Sequence, residues 1–296
     1  DRAQHVPRVR AVGARGLPHR HGVDRAHVAR VVGPDGGDGG RSVLGLMGAV
    51  QGEEEVGVLG RQALDADLLA ADGGRSTVRE RLLKLPFDGN THPRKWVVIE
   101  CDQDPLDAPY TALHCEPRRP YVCLRLPYGL RRWEFMLFPG EDSEQILQPE
   151  KVQELLRHHV ADPSRLNVIR ARVYTHNSRV ARSFVNGRVC LAGDAAHVHS
   201  PAGGQGMNLG IEDAVVLGER LSQVLDAGGD EALLDDYAAT RRQTARGVVS
   251  MTGKLTELAT ASARRRPVRN RIMRLAGKLP VVRRALAWRL SGLNRR

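Results

Sequence analysis

The sequence predicts a mixed α/β fold that combines buried strand–turn–helix units with an antiparallel sheet. Three observations predict it: two glycine turns that each link an apolar strand to a helix, runs of alternating polar and apolar residues between them, and long helical periodicity after the second turn. The chain has 296 residues, of which 41% are hydrophobic, and no apolar run approaches the ~18 residues that span a bilayer. We therefore expect one or two globular domains in the cytoplasm.

Residues 1–67 are predicted to form an atypical, low-complexity segment. The first seventy residues contain no aromatic residue, hold 13 of the 31 glycines and show no sustained period of 2 or 3.6. Such a segment cannot easily bury enough apolar area to offset its ordering entropy, so we expect disorder. Two hypotheses for its origin stay open: a flexible basic leader and, preferred, a translation of a GC-rich gene in the wrong frame.

A glycine run in this segment, Val31–Gly40, has the composition of a dinucleotide-binding loop but not its surroundings. Such a loop needs a buried strand before it, a helix after it and an acid about twenty residues later that binds a ribose. The flanking sequences supply none of these. We interpret the run as turn-rich.

The first ordered unit begins at Leu68. Leu68–Leu82 (LLAADGGRSTVRERL) is typical of a short buried strand, a tight turn at Asp72 and Gly73, and a helix that Ser76 or Thr77 caps. Strand, glycine turn and helix are the parts of a phosphate or ribose site.

Four runs predict strands of an antiparallel sheet, and Trp133, Phe135 and Leu137 share one face of the third, as in a sheet that covers a pocket. A helix with Val152, Leu155, Leu156 and Val160 on one side interrupts them, and His158 and His159 are predicted to lie on its surface. The runs are Lys95–Glu100, Tyr121–Leu126, Arg132–Phe138 and Arg172–His176, and the helix is Pro149–Val160.

The second strand–turn–helix unit follows Gly187. Val189–Ala192 predicts a buried strand, Gly193 a turn, and Asp194 a carboxylate at the carboxyl end of the strand, where open α/β sheets bind ligands. The next helix is predicted to end at Gly228 and Gly229. Its glycine-rich start exposes bare backbone and the positive end of the helix dipole, which suits a flat, partly anionic ligand. Its predicted buried stripe is Met207, Ile211, Ala214, Val215, Leu221, Val224 and Leu225.

The C-terminal region is strongly basic. From Arg241 to Arg296 there are 16 Arg and Lys against the single acid Glu257, whereas the whole chain carries a net charge of +11. We predict that residues 261–296 form a helical tail that packs one stripe, Leu275, Leu279, Val282, Leu286 and Leu290, on the body. Nucleic-acid binding and peripheral membrane contact are the disfavoured alternatives, because no aromatic stacking platform accompanies the charge.

Two motifs carry a family resemblance. AGDAAHVHSPAGGQGMNLGIEDA, from Ala192 to Ala214, closely resembles the second flavin motif of the flavoprotein aromatic hydroxylases (class A flavoprotein monooxygenases), and ADGGRSTVRERL, from Ala71 to Leu82, resembles their Asp-Gly motif. Intervening segments, among them RVYTHNSRVARSF from Arg172 to Phe184, resemble the 3-(3-hydroxyphenyl)propionate hydroxylase branch. The resemblance covers about residues 68–260.

The resemblance implies an FAD-binding, Rossmann-like three-layer fold, incomplete at its N-terminus because the family's GxGxxG unit has no counterpart here. An antiparallel-sheet substrate domain and C-terminal helices would complete it. Residues 68–94 and 177–260 would form the FAD-binding portions, and residues 95–176 the substrate domain. Without the GxGxxG unit, an inactive or truncated flavoprotein fragment stays open as an alternative.

The resemblance also implies a cofactor site for FAD. Asp194 would accept a hydrogen bond from a ribityl hydroxyl, and Pro201 would lie beside the reactive edge of the isoalloxazine. Asp72 and Arg79 would support the cofactor and the approach of NAD(P)H as co-substrate. The remaining cofactor-binding residues are Gly73, Gly193, Gly203, Gly204, Gln205, Gly206, Met207 and Asn208, with Ser200 at the place of the first of two prolines in many relatives.

The activity that the resemblance implies is the hydroxylation of a phenolic aromatic acid with NAD(P)H and O2 through a flavin hydroperoxide. Trp133 and Phe135 would form the wall of the substrate cavity. The substrate carboxylate would meet one of five arginines, Arg118, Arg119, Arg125, Arg131 and Arg132. The sequence names no catalytic residue, and other flavin chemistry or a basic binding protein are the competing functions.

Several single residues have a structural and a functional interpretation. His197 and His199 are either proton relays or, preferred, loop hydrogen-bonding residues. His176 follows a strand and either faces the pocket or, preferred, is a satisfied structural residue. The cysteines show no CxxC spacing, which predicts reduced thiols and neither a disulfide framework nor a metal site. They are Cys101, Cys115, Cys123 and Cys190.

Overall fold

The computed structural model divides the chain into two compact units. Unit 1 comprises Asp1–Gly89, Arg179–His199 and Gly204–Ser250, and unit 2 comprises Asn90–Ser178, Ser200–Gly203 and Met251–Arg296. The residues that the structure describes are 27–32, 42–47, 67–104, 106, 108–116, 118–226, 230–262 and 264–293.

The described residues form eleven strands and five α-helices. The strands are β1 His27–Val32, β2 Ser42–Met47, β3 Asp67–Ala71, β4 Phe87–Cys101, β5 Ala112–His114, β6 Tyr121–Arg125, β7 Arg131–Met136, β8 Val168–Ala181, β9 Val185–Asn186, β10 Val189–Leu191 and β11 His197–Val198. The helices are α1 Pro149–Leu156, α2 Gly206–Asp226, α3 Ala232–Ala259, α4 Arg266–Lys278 and α5 Pro280–Leu290.

The sheet of unit 1 has the strand order β1-β2-β3-β10-β9. Strands β2, β3 and β10 are parallel, and Val189 of β10 lies opposite Leu68 of β3. Because the carboxyl ends of parallel strands meet at one sheet edge, this pairing brings the turn after Ala71 next to the turn after Leu191.

Strands β1 and β2 lie in the segment for which the sequence predicted no regular element. They form an antiparallel pair, and β2 continues the sheet alongside β3. The prediction of disorder is therefore wrong for these twelve residues. Most of the predicted glycine run, residues 33–40, lies outside the described residues, as do the predicted helix end at Gly228 and Gly229 and the last three residues of the tail.

Helices α2 and α3 supply the core of unit 1. Leu209, Leu217 and Leu221 of α2 pack with Leu191 of β10 and Tyr237 of α3. The buried row of α2 runs at four-residue spacing from Leu209.

The predicted stripe of α2 is therefore partly wrong. Leu221 and Val224 are buried as predicted, but Met207, Ile211 and Val215 are exposed, as is Ala214. The buried row that starts at Leu209 contains Asp213, which is buried because it pairs with Arg241. A prediction that places only apolar residues on the buried face of α2 therefore selects the wrong face.

The second sheet has the strand order β11-β8-β4-β7-β6-β5. Strands β4, β6, β7 and β8 confirm the four predicted runs. In the antiparallel pair β4 and β7, Val97 lies opposite Phe135 and Ile99 opposite Trp133. These residues share one face of the sheet, and the residues between them share the other face.

Helix α1 covers the face of the sheet that carries Trp133. Val152 and Leu156 pack with Val97, Trp133 and Phe135 in one buried cluster. Trp133 and Phe135 do share a face, as predicted, but that face is the core of unit 2. That they form the wall of a substrate cavity stays a prediction, although Phe135 lines one cavity of unit 2 and Trp133 another.

The basic tail forms α4 and α5, but its apolar stripe is not packed as predicted. Leu275, Leu279 and Leu286 are exposed, and no element in the described part of the chain covers them. The buried residue of α4 is instead Arg269, which donates hydrogen bonds to the carbonyl oxygens of Leu258 at 2.8 Å and Cys115 at 3.4 Å. Across the described ranges, no helix is long and apolar enough to cross a membrane.

Two neighbouring leucines of α1 test the core of unit 2. Leu156 is fully buried, whereas Leu155 is half-buried at the edge of the same cluster. We expect Leu156→Ala to lower the free energy of unfolding by ~2–5 kcal/mol, because it removes buried methyl groups and leaves a cavity. The matched Leu155→Ala should cost less than half as much. Urea denaturation followed by circular dichroism measures both, and equal losses would contradict the packing described for α1.

Candidate functional site

The turn after β10 presents a carboxylate to solvent. The amide of Ala192 donates to the carbonyl of Ala70 at 3.0 Å, which keeps the chain next to β3 until Gly193 turns it with a φ of +59°. A left-handed backbone conformation at this point favours glycine. Asp194 follows in a short 3-10 turn, with an exposed side chain that no described residue pairs with. Its carboxylate is therefore available to a ligand.

A buried carboxylate of α2 holds this turn. Asp213 is 0% exposed, and its Oδ2 accepts hydrogen bonds from the Gly193 amide at 3.2 Å and from His197 Nε2 at 2.5 Å. Its Oδ1 accepts from Arg241 Nε of α3 at 2.7 Å. One carboxylate thus ties two helices to the turn that carries Asp194.

The Asp-Gly motif lies against the same turn within unit 1. Arg79 is fully buried, and its guanidinium donates to the carbonyl oxygens of Ala195 at 2.8 Å and Gly74 at 2.9 Å. Asp72 is buried and accepts from the Val78 amide at 3.2 Å, and Gly73 turns the chain with a φ of +83°. Arg79 therefore positions the Asp194 turn through backbone carbonyls.

Glycines at the start of α2 leave the backbone uncovered by side chains. Gly204 has a φ of +63° and open space where a side chain would be, and α2 begins two residues later at Gly206. Gln205 is buried, whereas the Met207 and Asn208 side chains are exposed. The first amides of a helix have no partner within it and carry the positive end of its dipole. This helix start therefore suits an electron-rich or anionic group.

The segment Ser200–Gly203 belongs to unit 2. Pro201 and Gly203 are exposed, and Gly203 has a φ of +93°. Ser200 is buried, and its Oγ lies 2.8 Å from Thr256 Oγ1 and 3.4 Å from His176 Nδ1. The residue before Pro201 is thereby attached to the sheet of unit 2.

A polar chain, defined as Glu134, Tyr174, His176, Ser200 and Thr256, extends from this contact. The Tyr174 hydroxyl donates to Glu134 Oε2 at 2.6 Å, and His176 Nε2 lies 2.9 Å from the same hydroxyl. These side chains occupy the face of the sheet opposite to Trp133, because Glu134 alternates with Trp133 along β7.

Burial sets the ionisation of the two ring side chains in the polar chain. The Trp96 ring stacks on His176 with centroids 4.9 Å apart, and the His92 ring lies 6.1 Å away. Burial, helped by His92, lowers the pKa of His176 to about 4. Burial and the Glu134 charge raise the pKa of Tyr174 above its ordinary value. Both groups are neutral at pH 7.

Most of the arginines considered for the substrate carboxylate are engaged elsewhere. Arg131 is fully buried against Asp104 at 2.5 Å, on the Trp133 face. Arg119 pairs with Glu141, and Arg132, which is on the face of the polar chain, pairs with Glu100. Arg118 and Arg125 are exposed.

Arg172 was not among the residues predicted from the sequence. It precedes Tyr174 by two residues in β8, so strand alternation places it on the face of the polar chain. Its side chain is exposed, and no described residue pairs with it. The alternation of Arg172, Tyr174 and His176 in the predicted strand was the available signal.

The structure gives the burial and the contacts of the four remaining histidines for which the sequence made a prediction. His197 is buried against Asp213, which supports the structural interpretation, and His199 is half-buried beside Gly206. His158 is exposed as predicted. His159 follows the end of α1 at Leu156 and is half-buried, with its ring 4.3 Å from that of Tyr121, so the surface prediction holds for it only in part.

Asp213 and Arg241 were also missed. Asp213 belongs to the quoted motif, but the four-residue spacing of Leu209, Asp213 and Leu217 went unused. A charged residue in a buried row must have a partner, so this row predicts a buried ion pair. Arg241 was counted only as part of the basic C-terminal charge.

Comparisons with known proteins agree with this geometry. The family described as FAD binding domain matches residues 32–252. The chain is 46% identical over 204 residues to the 3-(3-hydroxy-phenyl)propionate/3-hydroxycinnamic acid hydroxylase of Paraburkholderia xenovorans (strain LB400), covering 69% of this chain and 32% of that protein. The chain thus spans about a third of the length of this curated relative.

Solved structures show the same fold. OxyS anhydrotetracycline hydroxylase from Streptomyces rimosus is 29% identical with a TM-score of 0.63, covering 93% of this chain and 50% of that one. Aklavinone-11 hydroxylase, in a ternary complex with FAD and aklavinone, is 25% identical with a TM-score of 0.62, covering 80% of this chain and 41% of that one. The predicted mixed α/β, FAD-binding fold class is therefore confirmed.

The buried state of His176 predicts an acid-sensitive contribution to stability. Its folded-state pKa of about 4 lies below the ordinary 6.5, so the unfolded chain takes up the proton first as the pH falls. The contribution of His176 to the free energy of unfolding is fully present above pH ~6.5 and is lost toward pH 4. A lowering of the pKa from 6.5 to about 4 corresponds to about 3 kcal/mol of unfolding free energy.

Urea unfolding between pH 7 and pH 4 measures this contribution. The variant His176→Gln should have a flatter pH dependence of unfolding free energy than the unmodified chain, whereas His158→Gln, at an exposed position, should keep the original slope. Equal slopes for His176→Gln and the unmodified chain would show that His176 is not held neutral by burial.

Proposed function

Because the chain belongs to the family of FAD binding domains, we propose that it is part of an FAD-dependent monooxygenase that hydroxylates a phenolic aromatic acid with NAD(P)H and O2. The observation that carries the proposal is the free Asp194 carboxylate beside the bare helix start of α2 within unit 1. The curated relatives supply the activity, and their names include the hydroxylation of 3-(3-hydroxy-phenyl)propionate.

The residues of unit 1 fit the flavin end of FAD. An exposed carboxylate with no described partner is a strong acceptor for a ribityl hydroxyl, and Asp194 is such a group. The first amides of α2, at Gly206, Met207 and Asn208, are donors for carbonyl oxygens of the isoalloxazine. Asp72, Gly73 and Arg79 support these groups indirectly by fixing the turn that contains Ala195.

When bound, FAD supplies reduction by NAD(P)H and the activation of O2. The chain's own residues bind and orient the cofactor. The amides at the start of α2 stabilise negative charge on a group bound beside them, because these donors are already oriented and need not move as the charge forms. Pro201, for which the family resemblance implies a place at the reactive edge, directly follows Ser200 of the polar chain.

One face of the sheet in unit 2 supports this substrate class. Tyr174 and His176 are neutral polar groups on that face, beside the buried side chains of Trp96 and Met136. Arg172 provides a cation that no described residue neutralises. These groups suit a phenol with a carboxylate side arm, and we assign the carboxylate to Arg172. A cytoplasmic location stays a prediction.

The variant Asp194→Ala tests the cofactor site. We expect it to weaken FAD binding about 10- to 100-fold, because a hydrogen bond to a charged group contributes ~1.5–3 kcal/mol. Asp235→Ala removes an equally exposed aspartate of α3 and should leave the affinity unchanged. Titration with FAD, followed by flavin fluorescence, measures both.

Two results would count against the proposed function. Saturable FAD binding with the same affinity in Asp194→Ala would contradict the assigned role of this carboxylate. No saturable binding by the unmodified chain would contradict the proposed function of the chain itself.

A further inference from the structure

We propose that the two C-terminal helices, α4 and α5, form a docking surface for an anionic lipid membrane. These tail helices, Arg266–Lys278 and Pro280–Leu290, belong to unit 2. The inference goes beyond the proposed function and does not depend on it, because it uses none of the residues assigned to FAD or to the substrate.

Helix α4 exposes a complete apolar stripe. Val268, Ile272 and Leu275 follow one another at spacings of four and three residues, which places them on one face of the helix, and Leu279 continues the row directly after the helix. Each of these four side chains is between 55% and 63% exposed. The apolar stripe of a helix in a globular unit normally faces the core, so this exposed stripe indicates an interaction surface.

Helix α4 meets the rest of unit 2 through a different face. Its buried residue is Arg269, whose guanidinium donates to the carbonyl oxygens of Leu258 at 2.8 Å and Cys115 at 3.4 Å. Arg269 directly follows Val268, and consecutive residues of an α-helix point about 100° apart. The apolar stripe therefore stays accessible while the helix is attached to its unit.

Helix α5 adds exposed apolar area and an aromatic ring. Val281 and Leu286 are exposed, and Trp288 is 53% exposed, whereas Trp96 and Trp133 are buried. Tryptophan is enriched at membrane–water interfaces, because its apolar ring and its polar N–H group both find partners there. An exposed tryptophan beside exposed aliphatic side chains is therefore typical of a helix that lies in such an interface.

The charge of the tail requires an anionic partner. Residues 264–296 contain twelve arginines and lysines and no aspartate or glutamate. Arg271, Arg274 and Lys278 recur at spacings of three and four residues, so they form a row on the face of α4 next to the apolar stripe. These three side chains are exposed and have no ionic partner among the described residues. A row of free cations thus runs alongside a row of exposed aliphatic side chains.

A lipid surface satisfies both rows at once. Anionic headgroups attract the cations, and the boundary of the acyl chains takes up the apolar side chains of a helix that lies in the plane of the membrane. A second copy of this chain would bring like charges together. A nucleic acid offers phosphates for the cations but no site for a row of aliphatic side chains. The helices have 13 and 11 residues, fewer than the ~20 that cross a bilayer, which fits an orientation along its surface.

Vesicle binding by the full chain tests the proposal. The chain is mixed with vesicles of phosphatidylcholine containing about one third phosphatidylserine, or with vesicles of phosphatidylcholine alone, and sedimented. We expect binding to the mixed vesicles, which weakens in pure phosphatidylcholine and at high salt because the headgroup charge is removed or screened. The fluorescence of Trp288 should shift to shorter wavelength on binding, since Trp96 and Trp133 are already buried.

Two matched isoleucines test the apolar stripe. Ile272→Ser shortens the stripe of α4, and Ile169→Ser makes the same change in β8, at a side chain that is 50% exposed. We expect Ile272→Ser to weaken binding to the mixed vesicles at least 10-fold, because the membrane would bury this side chain. Ile169→Ser should bind as the unmodified chain does. Both positions are exposed, and circular dichroism confirms that both variants are folded.

Two matched pairs of arginines test the cations. Replacing Arg283 and Arg284 of α5 by glutamine should weaken binding about 30-fold, since each cation near an anionic surface contributes a factor of about five. The same change at the exposed Arg157 and Arg165, outside the tail helices, lowers the net charge equally and should have little effect.

Three results would overturn the proposal. The first is equal binding to both kinds of vesicle, or equal losses in the tail variants and their controls. The second is salt-sensitive retention by duplex DNA without vesicle binding, and the third is a dimer that forms without vesicle binding and dissociates in Ile272→Ser. Titration of the same preparation with FAD keeps the two proposals separate, because a chain that binds vesicles but not FAD contradicts only the proposed function.

Discussion

The buried carboxylate of Asp213 is the interaction on which unit 1 depends. It accepts the amide of Gly193, the imidazole of His197 and the guanidinium of Arg241, and it is completely removed from solvent. A charge at this depth is tolerated only with partners, and removing one partner of a buried pair typically costs ~3–5 kcal/mol. The turn that presents Asp194 is therefore held by the same contacts that join α2 to α3.

The polar side chains buried in unit 2 also have hydrogen-bond partners. Its sheet buries an apolar face against α1 and places neutral, hydrogen-bonded side chains on the opposite face. Satisfied polar groups in a low-dielectric environment keep one arrangement, because any alternative leaves a buried group unpaired.

Much of this architecture was predictable from the sequence. The alternation around Trp133 and Phe135 predicted a strand and a shared face, because period-two patterning is local. What the pattern could not decide was which face packs against a helix, since that choice depends on α1, which lies later in the chain. The Asp194 turn was likewise predictable, because the strand, the glycine turn and the start of the helix lie close together in the sequence.

Two of the missed residues share a physical cause. Asp213 and Arg241 are buried charges, and a hydrophobicity pattern treats every charge as exposed. Asp213 occupies a buried row of α2 only because Arg241, 28 residues later, lies against it. Strands β1 and β2 were missed because they are defined by pairing, β1 with β2 and β2 with β3, and not by a periodicity of their own.

Amide hydrogen exchange measures most directly whether Asp213 holds the Asp194 turn in place. An Asp213→Asn variant retains the shape of the side chain but has a single oxygen for three donors, while Asp236→Asn removes a half-exposed carboxylate paired with Arg220 as a control. We expect faster exchange at Gly193 and the residues after it in Asp213→Asn, with the strands of unit 2 unchanged. Unchanged exchange at Gly193 in Asp213→Asn would show that this carboxylate does not hold the turn.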